Sequence, residues 1–249
     1  MEKKYFEIHG VPSILWGNPS SKLYIYIHGQ CGNKEEAEAF ANIAVPHECQ
    51  VLSVDLPEHG ERKREKNSFN PWHVVPELVS IMEYAKCHWN QISLYANSIG
   101  AWFSMLSFEK ENLRECIFVS PILDMQQLIS NMMLWANVSE EQLKHELIIP
   151  TSFGHTLSWE YLQYVKQHPI TQWNIPTKIL YGKHDELTEI GVVEKFVEKF
   201  NCNLTIVENG KHWFNTPQEL NSLYEWLNTL VKIKNNYIIN MIKLFINVI

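Results

Sequence analysis

Apolar and polar positions change period several times along the chain, and each change marks an element. KLYIYIHG, at 22–29, places aromatic and β-branched residues ahead of a glycine, which reads as a buried strand. The pattern returns in QVLSVDLP (50–57), QISLYAN (91–97), ECIFVSP (115–121), TKILYG (177–182) and NLTIVENG (203–210). KKYFEIHG and VPSILWG read as two shorter strands, split at Gly10-Val11-Pro12. Between strands the period becomes helical. One helix runs from Lys34, capped by Asn33, to about Val45. A second, at 76–87, carries Leu78, Ile81, Met82 and Ala85 on one stripe. A third, at 188–200, aligns Ile190, Val193, Phe196 and Val197. The fourth, at 217–230, starts on Pro217 and aligns Leu220, Leu223, Tyr224 and Leu227.

Strands alternating with helices at this spacing predict an α/β fold: one domain over 1–249, a mostly parallel central sheet with helices on both faces. Right-handed crossovers then gather the strand C-termini along one edge, where ligands bind in such folds. Residues 122–175 break the rhythm, being too long for one crossover. Helical candidates at 125–135, 139–147 and 157–166 predict an inserted helical cap over that edge. The final stretch, 231–249, changes composition. Ile238, Ile242, Phe245 and Ile249 share one helical stripe, and Asn236, Asn240, Lys243 and Asn247 another. It is too polar and too short to span a bilayer, so no transmembrane segment is expected. An amphipathic extension docked on the domain or on a second subunit of a homodimer is expected; a loose tail or membrane-surface contact stays open.

Charge narrows the function. The 249 residues carry a formal net charge of −7, which argues against a nucleic-acid groove and its basic stripe. The one dense basic run, ERKREK at 61–66, includes two acids and reads as a solvated loop. Cys31, Cys49, Cys87, Cys116 and Cys202 are odd in number and not spaced for a metal, as expected of free thiols in a reducing compartment. The start has no apolar run after its positive charges, so a cytoplasmic location is expected. No three-ligand metal spacing and no glycine-rich nucleotide loop occurs, so neither a metal nor a cofactor is implied.

Candidate chemistry centres on ANSIG, at 96–100. Ser98 lies between a buried strand and the apolar helical pattern that starts at Ala101, at a sharp strand-to-helix turn. Such a turn needs small residues two before and two after the serine, and Ala96 and Gly100 supply them. It also aims the free N–H groups of the new helix at one spot. From ANSIG alone, a plain cap serine and a nucleophile are equally open. A serine hydroxyl needs a base and an orienting acid. Asp185 follows the strand TKILYG and His212 follows NLTIVENG, and both loops leave the same sheet edge. Ser98, Asp185, His212 is the chain order this chemistry takes in such folds. Glu186 and Asp124 are reserve acids. Gln30, after His28-Gly29, offers a backbone N–H that would join that of Ile99 as an oxyanion hole. His28 reads as a structural hydrogen-bonding residue and His59 as a turn residue.

These segments together resemble the α/β-hydrolases with a helical cap. YIHGQCG is similar to the family's oxyanion segment, SVDLPEHGER to its D-x-x-G-H-G-x-S segment, ANSIG to its nucleophile elbow, YGKHDEL to its acid loop and ENGKHWF to its histidine loop. The resemblance covers about 23–230. Ala96 replaces the usual first glycine of the elbow, and Glu58 and Arg62 replace the usual Gly and Ser of the second segment. The resemblance implies a serine hydrolase, with a carboxylic ester of a small or medium apolar substrate as the first expectation. The Met and aromatic content of 122–175, with Trp102 beside the elbow, points to Trp102, Met132, Trp135 and Trp159 as pocket residues. An aminopeptidase or amidase, which would need a carboxylate such as Glu140 or Glu160 near the pocket, is the first alternative. A non-catalytic binding protein on the same scaffold is the second.

Overall fold

The structure, a computed structural model, describes residues 1–246, with side chains described through residue 231. The first two strands, β1 (Lys3–Ile8) and β2 (Val11–Trp16), form an antiparallel hairpin. Its turn is tighter than the sequence suggests. His9 and Gly10 take positive φ, while Val11 and Pro12 already pair as strand, opposite Ile8 and Glu7. Next come β3 (Lys22–Ile27), β4 (Gln50–Val54), β5 (Gln91–Asn97) and β6 (Cys116–Val119). A small hairpin, β7 (Ile148–Pro150) and β8 (Thr156–Ser158), precedes β9 (Thr177–His184) and β10 (Asn203–Lys211). Eight of these strands form one sheet in the order β1-β2-β4-β3-β5-β6-β9-β10. Pairing is parallel from β4 to β10, and β2 is antiparallel to both of its neighbours.

Side-chain alternation explains why helices cover both faces. In β3, Leu23, Ile25 and Ile27 enter one core and Tyr24 and Tyr26 the other; in β6, Cys116 and Phe118 oppose Ile117 and Val119. α1 (Ala37–Ala44) and α8 (Pro217–Ile246) cover the second face. The first face is covered by α2 (Pro71–His88), α3 (Ile99–Phe108) and, after the 122–175 segment, α7 (Ile190–Phe200). Residue 76 does not start α2, as the pattern suggested. Asn70 caps the helix by accepting from His73 N, Pro71 fills the first position, and Pro76 is tolerated inside.

Residues 122–175 leave the sheet after β6 and return at β9. They hold α4 (Met125–Ala136), α5 (Glu140–Glu146), the β7–β8 hairpin and α6 (Trp159–Gln167). The hairpin is absent from the sequence expectation. Leu147, at φ 66, stops α5, and the β-branched pair Ile148-Ile149 then extends. Trp102 of α3 stacks on Tyr161 of α6 with ring centroids 5.9 Å apart, and Trp72 of α2 lies 6.0 Å from Tyr161. Among the described residues, no helix is long and apolar enough to cross a membrane. The docking expected of Ile238, Ile242, Phe245 and Ile249 concerns side chains outside the described residues.

Candidate active site

Ser98 occupies a single-residue break between β5 and α3, with φ 49° and ψ −123°. A non-glycine residue is strained there, and the neighbourhood must hold it. Ser98 N donates to Val119 O at 3.0 Å, and Ser98 O accepts from Ala101 N and Ile122 N, both at 3.1 Å. The smallness of residue 100 has a direct cause: a Cβ on Gly100 would lie 2.5 Å from His28 O. β3 and α3 therefore meet backbone to backbone.

His212 follows β10 and approaches the serine from the adjacent loop. Ser98 Oγ donates to His212 Nε2 at 2.8 Å, and His212 Nδ1 donates to Asp185 Oδ2 at 2.7 Å. That tautomer follows from the carboxylate, which only accepts. The Asp185 carboxylate is fully enclosed. Its other oxygen accepts from Leu187 N at 2.8 Å and Thr188 N at 2.9 Å. Two backbone donors thus keep a buried anion satisfied and fix the face it turns to His212. The reserve acids lie elsewhere. Glu186 is exposed, and Asp124 is an exposed cap of α4, accepting from Gln127 N at 2.9 Å.

The Ile99 N–H belongs to the first turn of α3, where helix geometry provides no acceptor. Gln30 follows β3 in a loop braced by two buried imidazoles. His28 Nδ1 donates to Gly29 O at 2.7 Å, while His28 Nε2 accepts from Leu56 N at 3.0 Å. Burial pushes the His28 imidazolium down to about 4, so the ring is neutral and structural. His59 Nδ1 donates to Pro57 O at 2.8 Å, and its Nε2 accepts from Cys31 N at 2.9 Å. His59 thus ties the loop that carries Gln30 and Cys31 to the turn after β4, rather than serving that turn alone.

One residue beside the site escaped the sequence reading. Glu219, on α8, accepts from Lys211 N at 2.9 Å with one oxygen. The other accepts from Thr216 N at 3.0 Å and Thr216 Oγ1 at 2.7 Å. It clamps both ends of the loop that carries His212. Hydrogen bonds from Thr216, followed by that from Lys211, pull its carboxyl down to about 2 against the opposing effect of burial. The signal was present in the sequence as Thr216-Pro217-Gln218-Glu219, a helix capping box.

A cavity of about 520 Å³ opens beside His212, with Gly29, Gln30, Trp213 and Tyr224 in its wall. None of Trp102, Met132, Trp135 and Trp159 lines it. Trp102 is buried against Phe103 and Tyr161, because the first turn of α3 points it at the 122–175 segment. Trp135 is half exposed against Phe153, and Trp159 lies near Lys144. Met132 packs at the margin of the larger core.

No family model and no curated protein sequence matches the chain. Solved structures do. Est1E from Butyrivibrio proteoclasticus, with ferulic acid bound, superposes with TM-score 0.76 at 18% identity, over 91% of this chain and 97% of that one. Mouse α/β hydrolase domain-containing protein 10 gives 0.75 at 11% identity, over 93% and 99%. The monoacylglycerol lipase of Paleococcus ferrophilus gives 0.62 at 15% identity, over 88% and 98%. The chain has the α/β-hydrolase fold.

Proposed function

We propose that this protein is a serine hydrolase that cleaves carboxylic esters through an acyl-enzyme. One observation carries the reading: the unbroken hydrogen-bonded line from Ser98 Oγ through His212 to the enclosed Asp185 carboxylate, mounted on a strained elbow. In this mechanism His212 Nε2 takes the Ser98 proton as Oγ attacks the ester carbonyl. The N–H groups of Gln30 and Ile99 receive the oxyanion, and Asp185 stabilises the imidazolium. His212 then protonates the departing alcohol, and water repeats the sequence to free the acid. Residues 122–175 act in this reading as a cap over the elbow.

The esterase and lipase among the structural neighbours favour an ester over an amide. The carboxylates that an aminopeptidase would use are turned to other tasks: Glu140 pairs with Lys166, Glu160 is exposed, and neither lines the cavity beside His212. The test is hydrolysis of p-nitrophenyl acetate, butyrate and octanoate. Ser98→Ala should lower kcat by at least about 10³-fold. Equal turnover by both proteins would overturn the assignment. Cleavage of aminoacyl amides, with no ester cleaved, would transfer it to the amidase alternative.

A further inference from the structure

The cavity of about 520 Å³ beside His212 lies between the sheet and the α1–α8 layer. Its wall holds six aromatic residues: Tyr26, Phe40, Tyr95, Trp213, Phe214 and Tyr224. Tyr95 joins two of the others, stacked on Tyr26 with ring centroids 4.8 Å apart and tilted against Phe40 at 4.5 Å. One formal charge interrupts this surface, the carboxylate of Glu36. No lysine or arginine lines the cavity to balance it.

The Glu36 carboxylate has no task within the described chain. Glu36 directly precedes α1, where a side chain can cap a helix, yet no backbone N–H donates to it. Among the described residues, no hydrogen bond or ion pair reaches its oxygens. Its Oε2 lies over Gly32, 2.8 Å from where a Cβ on that residue would stand, beside the loop that carries Gln30. The residue is exposed at the cavity rim, but the surrounding chain still displaces enough water to raise its carboxyl above the ordinary value. The tyrosines register the same charge. Burial, then Tyr95, then Glu36 hold the Tyr26 phenol above its ordinary value; burial, then Tyr224, then Glu36 do so for Tyr95. Glu36 thus stands within electrostatic reach of both rings.

That combination selects among ligands by chemistry. An anion would meet the like charge of Glu36 with no cation in the wall to offset it. A wholly apolar molecule would strip more water from the carboxylate and give it no partner. A metal ion needs several ligands, and among the described residues no group of three His, Cys, Asp or Glu could hold one. An organic ammonium suits both parts of the wall. Its charge pairs with the carboxylate and with aromatic rings, and its hydrocarbon lies against apolar surface. No cation of the described chain takes that place. The lysine–ring contacts there involve Tyr5, Trp16, Phe6, Trp159 and Phe200, none of which lines the cavity.

We propose that this cavity binds a primary ammonium with an apolar body, the ammonium at Glu36 and the body against Phe40, Tyr95, Leu223 and Leu227. Ser98 does not line the cavity. The site therefore adjoins the base without seating the reacting carbonyl, and the inference does not depend on the ester-hydrolase reading.

2-Phenylethylamine, protonated at neutral pH, and 2-phenylethanol share an apolar body and differ in charge. A ligand-observed NMR titration of the wild-type protein in low salt should show the amine bound about tenfold tighter. Added salt should narrow the difference by weakening the amine alone. Glu36→Gln, at an exposed position, should bring the amine to the affinity of the alcohol and leave the alcohol unchanged. Ala39→Trp, which fills the cavity from α1, should remove binding of both, with circular dichroism checking that each variant is folded. Should Ala39→Trp fail to fold, Glu36→Gln decides alone. Equal affinity of the wild type for the two probes, or a preference that survives Glu36→Gln, would overturn the proposal. So would amine binding undiminished in a folded Ala39→Trp, or no amine binding at about 10 mM.

Discussion

Next to the loop that follows β3, the Asp55 carboxylate is wholly buried and accepts from Lys34 N and Lys34 Nζ, each at 2.8 Å, and from Glu61 N at 3.0 Å. Burial lowers the affinity of the Lys34 ammonium for its proton, but hydrogen bonds to Asp55, Glu61 and Glu35 outweigh it and hold the group above its ordinary value. Removing the Asp55 carboxylate leaves Lys34 Nζ with only the more exposed Glu35 and Glu61, at 3.1 and 2.7 Å, and leaves Lys34 N and Glu61 N without their acceptor. Asp55→Ala should lower unfolding free energy by about 3 kcal/mol in urea titrations, and a loss under about 1 kcal/mol would refute this account. The same network explains Gly60, which takes φ 54° and whose added Cβ would fall 2.1 Å from Asp55 Oδ1. His28 adds a pH dependence. Its folded value, about 4, lies below the ordinary 6.5, so between these pH values the unfolded chain binds the extra proton. Stability is therefore full above pH 6.5 and falls as the pH drops towards 4, by about 3 kcal/mol in total. His28→Gln keeps a donor and an acceptor but does not titrate, so it should flatten that slope. An identical slope in the variant would assign the acid sensitivity to other groups.

At the scale of elements, the periodic segments were legible and the boundaries set by particular side chains were less so. β3 and β6 announce themselves by burial on both faces. The start of α2 depends on Asn70 accepting from His73 N, a contact that apolar periodicity does not register. The loop from β10 to α8 makes the same point with functional weight. Its histidine was found from its strand-end position, but the clamp from Glu219 to Lys211 and Thr216 was not. That clamp acts on His212 through the backbone. Glu219→Gln removes its charge and weakens both ends of the clamp. It should lower kcat on p-nitrophenyl esters about tenfold, with KM nearly unchanged, because the loss is one of alignment. A proportional rise in KM at constant kcat would show that the loop positions substrate rather than base.

For the whole molecule, what could be read in advance follows from what sequence encodes locally. Ser98, Asp185 and His212 each stand directly after a recognisable strand, so topology alone brings them to one edge. The cavity wall gathers residues from α1, three strands, the His212 loop and α8, and no single segment advertises it; Trp102, Met132, Trp135 and Trp159 were chosen by composition and lie elsewhere. Composition is equally silent on whether 122–175 is a separate folding unit, and packing supplies the argument. Met125, Ile129, Leu143, Leu157, Leu162 and Val165 belong to one continuous core with Leu78, Phe103 and Phe118 of the body. Trp102 and Trp72 press on Tyr161 across the same junction. A continuous core predicts a single cooperative transition for segment and body together. Leu162, 1% exposed, is the probe. Leu162→Ala should lower unfolding free energy by about 2–5 kcal/mol. The transitions followed by far-ultraviolet circular dichroism and by tryptophan fluorescence should shift together to lower urea. A variant in which fluorescence moves early while the circular dichroism midpoint stays at the wild-type value would mean that 122–175 unfolds on its own, and that the junction at Tyr161 is a hinge rather than part of the core.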